Sequence, residues 1–229
     1  MDDHELPDDG DIETRRAAIT RLGEQLRELT HVMVSTEMPT DVLDEATETL
    51  RALTGTLGAK TRGLHEVPSV DDFDAGIRMF NAGSGPANPT APPVVARMVD
   101  GRVIGRATVG LAHEGHFTLA HGGILAVLLD DVLGRTVIAH ATAPSMTAGL
   151  ELRYRKPVPL HTPLVITGEL VGIEGRRVTV RGTICAEAEP DVVLTEADAL
   201  FVQLREDQMV TMFGSTTGAG AGVAQASET

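Results

Sequence analysis

The chain has 229 residues and a formal charge of −14, with one cysteine (Cys185), one tyrosine (Tyr154) and no tryptophan. This length suits one medium-sized domain with an extension, and its core must be mainly aliphatic. The acidic balance argues against a nucleic-acid partner, which would require clustered Lys and Arg, and no apolar run is long enough for a membrane span.

The compartment that we expect is the cytoplasm. The acidic start of the chain has no basic segment followed by an apolar one, so we expect no secretory signal. A single cysteine excludes an intramolecular disulfide and fits a reducing environment. We expect Cys185 to be a buried residue of a strand.

Residues 1–75 are predicted to form an acidic N-terminal helical extension. They hold 18 acidic and 7 basic residues, and residues 1–11 are predicted to be a disordered lead. Apolar residues recur at helical spacing over 12–34, and again over 42–57 after the break at Pro39, which predicts two amphipathic helices. The two helices form either a hairpin packed on the main domain or an arm that regulates the protein or braces a dimer.

A loop and a tail flank the main domain in this prediction. Residues 76–93 are rich in glycine and proline, which predicts a loop without regular structure. Residues 207–229 are predicted to be a flexible tail, because 214–229 are mostly small residues that offer little to bury.

Residues 94–206 have the pattern of an α+β domain. Strands are predicted over 94–99 and 103–111, joined by a turn at Asp100-Gly101, and an apolar helix is predicted over 123–140. Four β-branched or alternating stretches predict further strands, at 145–154, 164–174, 177–187 and 192–204. About six antiparallel strands curling over one apolar helix would cover most of it, and a dimer would cover its remaining face and one sheet edge.

The apolar helix contains two carboxylates, Asp130 and Asp131, where a buried charge needs compensation. Gly122 and Gly123 precede it and leave backbone N–H groups uncovered at the positive end of the helix dipole. Gly122 and Asp130 lie about 12 Å apart along the helix, too far for both to reach one reacting carbon. Two antiparallel copies of the helix would bring the start of one to the middle of the other, so the spacing predicts an active site at a dimer interface.

A series of short motifs follows in a fixed order through the same region. His121-Gly-Gly is followed by Asp130, nine residues after the histidine, then by Thr147-Ala148 and by Glu151-Leu-Arg-Tyr-Arg-Lys-Pro-Val-Pro159. Gly168, the stretch 171–177 and Thr195-Glu-Ala-Asp-Ala-Leu-Phe201 continue the series. Over roughly residues 85–206 these motifs resemble the hotdog-fold acyl-CoA thioesterases of the PaaI-like type. The resemblance implies that 94–206 form a hotdog thioesterase domain, with a long apolar helix wrapped by a curved antiparallel sheet.

The resemblance also implies a reaction, the hydrolysis of the thioester bond of an acyl-CoA. The Gly122 N–H would polarise the thioester carbonyl as an oxyanion hole, while His121 orients that turn or contacts the thioester. Asp130 of the partner subunit would act as nucleophile or general base, and Thr147 would hold the attacking water or the carboxylate. Four arginines would bind the nucleotide and phosphates of coenzyme A, namely Arg153, Arg155, Arg176 and Arg177.

The partners implied are the acyl-CoA substrate and further copies of the chain, as a homodimer or a homotetramer. An aliphatic core favours a fatty acyl group over an aryl one, which implies a role in lipid metabolism. No separate cofactor is implied, because coenzyme A is part of the substrate. No metal site is predicted, because the histidines lack metal-ligand spacing with carboxylates or cysteine.

Each candidate residue also has a structural interpretation. Asp131 could replace Asp130, since the two point about 100° apart on the helix, although the family spacing selects Asp130. Asp130 could instead pair with Arg135, His121 could simply cap the helix, and the arginines could be solvated. The alternative function is a hotdog protein that binds acyl-CoA or another acyl ligand without turnover. A hotdog dehydratase fits the motif poorly.

Overall fold

The computed structural model describes residues 11–73, 75–92 and 94–213. The helices in this part are α1 (Ile12–Met33), α2 (Thr40–Gly58), α3 (Gly122–His140) and α4 (Glu206–Phe213). The strands are β1 (Val95–Val99), β2 (Arg102–Thr108), β3 (Glu114–His116), β4 (Leu119–Ala120), β5 (Ser145–Tyr154), β6 (Pro163–Glu174), β7 (Arg177–Ala186) and β8 (Glu189–Gln203).

Six of these strands form one antiparallel sheet, in the order β1-β2-β6-β7-β8-β5. Strands β3 and β4 pair separately as a small hairpin. The predicted α+β architecture is therefore confirmed: a long apolar helix lies against a six-stranded antiparallel sheet, which is the hotdog fold.

Helix α3 is the centre of the core because it is apolar on most of its surface. Leu129, Val132 and Leu133 are completely buried. Glycines in the sheet allow the helix to approach closely, since a Cβ at Gly105 would lie 2.8 Å from the Val132 side chain and one at Gly182 only 3.0 Å from those of Leu129 and Leu133. This close packing fixes the position of the helix relative to the strands.

Both surfaces for which the sequence predicts a dimer cover are open in the protomer. Strand β5 lies at the end of the sheet, so its outer edge has no strand partner within the described residues. On α3, Val127 is 36% exposed and Ile138 is 80% exposed. One face of the central helix and the β5 edge of the sheet are thus left open.

The two N-terminal helices are present as predicted, but only α1 packs on the rest of the chain. Gly23 of α1 is buried against Ala87, and a Cβ there would lie 2.7 Å from the Ala87 carbonyl oxygen. Arg16 and Arg27 of α1 donate hydrogen bonds to backbone carbonyls of Val70 and of the segment 86–88. Helix α2 has no buried residue, so the expected packed hairpin is wrong for α2.

The segment between the helices and the sheet is more ordered than the predicted loop. Val70, Met79 and Ala87 form a second small core with Ile19 of α1. Asp71 accepts a hydrogen bond from Met79 N–H at 2.7 Å. Regular helix and strand are nearly absent over the described part of 76–93, as predicted, but the chain is held by turns and buried apolar contacts.

Several boundaries differ from the prediction. Strand β2 ends at Thr108 rather than 111, and a 3₁₀ turn (Leu111–His113) and the β3–β4 hairpin follow it. Elements of two or three residues are too short to show a hydrophobic period. Helix α4 occupies the start of the predicted tail, where Glu206 and Asp207 in its first turn suit the helix dipole. Residues 1–10 of the predicted disordered lead (1–11) and residues 214–229 of the predicted tail lie outside the described residues.

Two further expectations concern single features. Cys185 is buried on β7, as predicted. None of the helices within the described ranges is both long and apolar enough to cross a bilayer.

Candidate active site

Helix α3 begins at Gly122, with His121 as its N-cap residue. Nδ1 of His121 accepts a hydrogen bond from Gly123 N–H at 2.9 Å, and the His121 carbonyl accepts from Ile124 and Leu125 at 2.9 and 3.3 Å. The Gly122 N–H has no partner among the residues that the structure describes. It is therefore the one of these first backbone donors that remains available to an outside oxygen atom, at the positive end of the helix dipole.

The turn that contains this donor is fixed from two sides. The His121 N–H donates to the His113 carbonyl at 2.9 Å. The Tyr154 hydroxyl donates to the Gly122 carbonyl at 3.0 Å. No role for Tyr154 could be predicted from the sequence, because a bond between residues 32 positions apart leaves no signal in local spacing.

The pair Asp130 and Thr147, which the resemblance implies, lies together in the structure. Thr147 on the edge strand β5 donates from Oγ1 to Asp130 Oδ1 at 3.0 Å. The pairing of β5 with β8 shifts between Thr147 and Gly149, and such a bulge re-aims nearby side chains. Asp130 is half-buried, and no described residue donates to its second oxygen. That oxygen can accept a proton from water or approach a carbonyl carbon.

Asp131 is occupied by a different network. Its carboxylate lies 2.9 Å from Arg135 Nε and accepts a hydrogen bond from Ser84 Oγ at 2.9 Å. Arg135 also donates to Ser84 Oγ at 2.6 Å. The Asp131 side chain is only 8% exposed, so this aspartate joins α3 to the segment 76–93 and has little access to a ligand. Arg135, suggested as an alternative partner for Asp130, pairs with Asp131 instead.

Asp130 lies on the open face of α3. Residues spaced three or four apart, namely Gly123, Val127, Asp130, Gly134 and Ile138, are all exposed or half-buried. They form one stripe on the helix surface that the protomer's own sheet does not cover. The donor at the helix start and the carboxylate are about 12 Å apart along the helix, so one chain does not place both beside a single reacting carbon.

Two of the four candidate arginines are paired with carboxylates of β8. Arg153 Nη1 lies 3.0 Å from Asp198 Oδ2, and Arg155 Nη2 lies 2.6 Å from Glu196 Oε1. Hydrogen bonds from Arg153 and Arg181 lower the pKa of Asp198, and the one from Arg155 lowers the pKa of Glu196. A phosphate that binds these arginines would have to replace protein carboxylates.

None of the candidate arginines bonds to Asp130 in the described part of the protomer. Leu152 packs against the core beside α3, so the alternation along β5 directs Arg153 to the outer face of the sheet. Arg176 donates from Nη1 to a backbone carbonyl of β8 at 3.0 Å, and Arg177 is exposed at the start of β7. Within one chain the described contacts of Arg153, Arg155 and Arg176 are with β5 and β8, and none is with the helix start.

A metal centre finds no support in the described part of the chain. No group of three or more His, Cys, Asp or Glu side chains there is arranged to hold an ion. The groups that the candidate site offers are the backbone donor, the carboxylate and the hydroxyl.

Comparison with known proteins gives the same family for the sequence and for the fold. A family model described as the thioesterase superfamily matches residues 117–193, the segment that contains α3 and most of the large sheet. A crystal structure of a thioesterase superfamily protein superposes with a TM-score of 0.72 and 31% sequence identity. That match covers 81% of this chain and 90% of the other.

Curated relatives match over a shorter range. The mouse acyl-coenzyme A thioesterase THEM4 is 34% identical over 113 residues, which is 49% of this chain and 48% of the mouse protein. The rat protein of the same name is 35% identical over 102 residues, or 44% of this chain and 43% of the rat protein. The chain thus spans about half the length of the curated relatives that it matches.

Proposed function

Because the chain belongs to the thioesterase superfamily, we propose that it is an acyl-CoA thioesterase of the PaaI-like type. It hydrolyses the thioester of a fatty acyl-CoA to the free acid and coenzyme A, as a cytoplasmic enzyme of lipid metabolism. The observation that supports this most strongly is that α3 presents two groups suited to the reaction. These are a free Gly122 N–H at its start and a half-buried Asp130, held by Thr147, in its middle. The similarity to the mouse acyl-coenzyme A thioesterase favours the same chemistry.

The proposed site combines two protomers. The open stripe of α3 lies next to the edge strand β5, because Thr147 on β5 bonds the Asp130 carboxylate of that stripe. A second copy of α3, packed antiparallel on the stripe, would bring its helix start to the middle of the first helix. Each homodimer would then hold two sites, each with Gly122 from one protomer and Asp130 of the partner subunit. Pairs of dimers in a homotetramer would keep this arrangement.

The chemical step uses the backbone and one carboxylate. The Gly122 N–H binds the carbonyl oxygen and stabilises the negative charge that develops on it, with the helix dipole adding to the effect. As general base, Asp130 takes a proton from a water molecule whose oxygen attacks the carbonyl carbon. The C–S bond then breaks, the carboxylic acid is released, and the thiolate of coenzyme A receives the proton from Asp130. As nucleophile, Asp130 would itself attack the carbonyl carbon and displace the coenzyme A thiolate as the C–S bond breaks. Water would then hydrolyse the mixed anhydride to the free acid and the Asp130 carboxylate, and the proton released would go to the thiolate.

Thr147 and His121 support this step in different ways. The Thr147 hydroxyl holds Asp130 through Oδ1, which leaves the other oxygen for the water. The His121 ring occupies the Gly123 N–H and so leaves Gly122 as the donor. His121 is therefore proposed to orient the turn, and its contact there is a hydrogen bond to the backbone.

A fatty acyl group suits the apolar surface beside the carboxylate. Val127 and Ile138, which lie on the same stripe of α3 as Asp130, are exposed in the protomer by 36% and 80%, and both side chains are aliphatic. For the coenzyme A end we propose Arg176 and Arg177, with Arg153 and Arg155 exchanging their carboxylate partners for phosphate.

The test is a thiol-release assay with acyl-CoAs from short to long chains and one aryl-CoA, on the unchanged protein and on Asp130→Ala. We expect turnover that is highest for a fatty acyl-CoA and is abolished in the variant while its fold is retained. Full activity of Asp130→Ala would refute the assignment of the carboxylate. Saturable binding of acyl-CoA without release of thiol would instead identify a non-catalytic binding protein.

A further inference from the structure

The peptide group between Gly122 and Gly123 is held at both of its ends. Its N–H, from Gly123, donates to His121 Nδ1 at 2.9 Å. Its carbonyl, from Gly122, accepts a hydrogen bond from the Tyr154 hydroxyl at 3.0 Å. The end of the tyrosine ring also lies against Gly122, where an added Cβ would be 3.1 Å from both Cζ and the hydroxyl oxygen of Tyr154.

This peptide needs an external restraint. Two successive glycines at the start of a helix have more backbone freedom than any other pair of residues, and the first turn lacks the full set of helical hydrogen bonds. The Gly122 N–H is joined through one Cα to the restrained peptide. A change in the orientation of that peptide therefore changes the direction in which the donor points.

Tyr154 is well placed to supply the restraint because the end of β5 is rigid. The next two backbone N–H groups, of Arg155 and Lys156, both donate to the Leu194 carbonyl on β8, at 2.8 and 3.0 Å. The Val158 carbonyl then accepts from Ala120 N–H at 2.9 Å, in the segment that leads into α3. The strand that presents the hydroxyl and the turn that receives it thus belong to one hydrogen-bonded unit.

Core packing does not account for an aromatic residue at this position. Tyr154 is 56% exposed, and it is the only tyrosine in the chain. The side-chain hydrogen bond that it makes is the one to Gly122. Its hydroxyl bond and the close approach of its ring end are both to Gly122 in the donor turn.

We propose that Tyr154 is a positioning residue, whose hydroxyl holds the Gly122–Gly123 peptide and so aims the Gly122 N–H at the substrate carbonyl. His121 holds the other end of the same peptide. The inference rests on the proposed thioesterase function, because it assigns Tyr154 to the oxyanion hole of that reaction. It predicts that loss of the hydroxyl slows the chemical step without weakening substrate binding.

The experiment compares kcat and KM for acyl-CoA hydrolysis in Tyr154→Phe, His121→Ala and the double variant. Tyr154→Phe keeps the ring, so we expect kcat to fall by about 2- to 10-fold, the range for one hydrogen bond, with an unchanged KM. The double variant should lose less than the product of the two single losses, because both side chains restrain one peptide. Thr142→Val is the matched control, since it removes a hydroxyl bonded to Gln203 and should leave kcat unchanged.

The outcomes separate this inference from the function on which it rests. Hydrolysis by the unchanged protein, with an equal kcat in Tyr154→Phe, would overturn the positioning role and leave the proposed function standing. A raised KM with unchanged kcat would also overturn it, because Tyr154 would then bind substrate. Single losses that multiply in the double variant would overturn the shared restraint. No thiol release by the unchanged protein would overturn both.

Discussion

Adjacent aspartates on α3 provide a matched pair of variants, Asp130→Asn and Asp131→Asn, with opposite expected effects. Asp131 is 8% exposed and pairs with Arg135, whose side chain is 38% exposed, and it also accepts a hydrogen bond from Ser84. Loss of its charge should therefore cost about 2 kcal/mol of stability, the range for hydrogen bonds to a charged group in a partly solvated pair. For a chain of this size that lowers Tm by about 4 to 8 °C.

Asp130→Asn should behave in the opposite way. The hydrogen bond that Asp130 accepts from Thr147 is exposed, and the amide oxygen of asparagine can accept it in place of the carboxylate oxygen. The free energy of unfolding should therefore change by less than about 0.5 kcal/mol. Loss of the general base should lower kcat by about 100- to 10,000-fold.

Thermal unfolding and thiol release, measured on both variants, check the two expectations together. We expect Asp130→Asn to be inactive but as stable as the unchanged protein. We expect Asp131→Asn to have a lower Tm but to be active when it is assayed at a temperature where it is folded. An inactive Asp131→Asn of unchanged Tm, beside an active Asp130→Asn, would refute the reasoning from burial and partners.

Three more predictions concern stability. Gly23→Ala should loosen the packing of α1, because its Cβ would meet backbone atoms within 2.9 Å. Gly55→Ala in α2 meets nothing within 4 Å and should stabilise that helix by up to about 1 kcal/mol. Limited proteolysis and Tm, measured on both variants, check the two expectations. Burial, and secondly the nearby His31, lower the pKa of His113 from 6.5. Because the unfolded chain then binds the proton more readily, stability should fall as pH drops below that value. The Tm of His113→Asn should therefore depend less on pH than that of the unchanged protein. Hydrogen bonds from Arg153 and Arg181 lower the pKa of Asp198 from 3.8. This pairing stabilises the fold above that pH, and the stabilisation is lost as pH falls through the lowered pKa. Acid unfolding should therefore depend less on pH in Arg153→Gln or Arg181→Gln.

The domain architecture could be predicted from sequence because it depends on local periodicity. The apolar run of α3 and the alternating stretches of β5 to β8 show their burial directly in the order of residues. The β3–β4 hairpin and α4 were missed because they are short or weakly apolar. The packing of α1 and the exposure of α2 could not be separated, since both helices have apolar stripes and only contacts far along the chain distinguish them.

The candidate site was predictable only in part, for a related reason. Asp130 and Asp131 differ in their surroundings through partners that are distant in sequence, Thr147 for the first and Ser84 for the second. Spacing on the helix does not contain that information. The hydrogen bond between Tyr154 and Gly122 likewise could not be predicted from local spacing. By contrast, the short distance from His121 to Gly123 made a capping role one of the alternatives from the outset.

Mixed dimers test directly whether one protomer supplies the donor and the other the carboxylate of each proposed site. Gly122→Pro removes the donor, and the helix start can accept it, because proline is favoured at the first position of a helix and His121 has a ψ of 132°, which suits a residue before proline. Its Cβ would lie 3.1 Å from the end of the Tyr154 ring, so the Tm of the variant is measured beside its activity. Each single variant should be inactive alone.

Gly122→Pro and Asp130→Asn are then mixed under conditions that exchange protomers, and thiol release is measured. Mixed dimers hold one intact site and one doubly altered site, so random exchange should restore about a quarter of the unchanged protein's activity. Restored activity near that level is the predicted result. Mixed dimers that form but release no thiol would contradict a site shared between protomers.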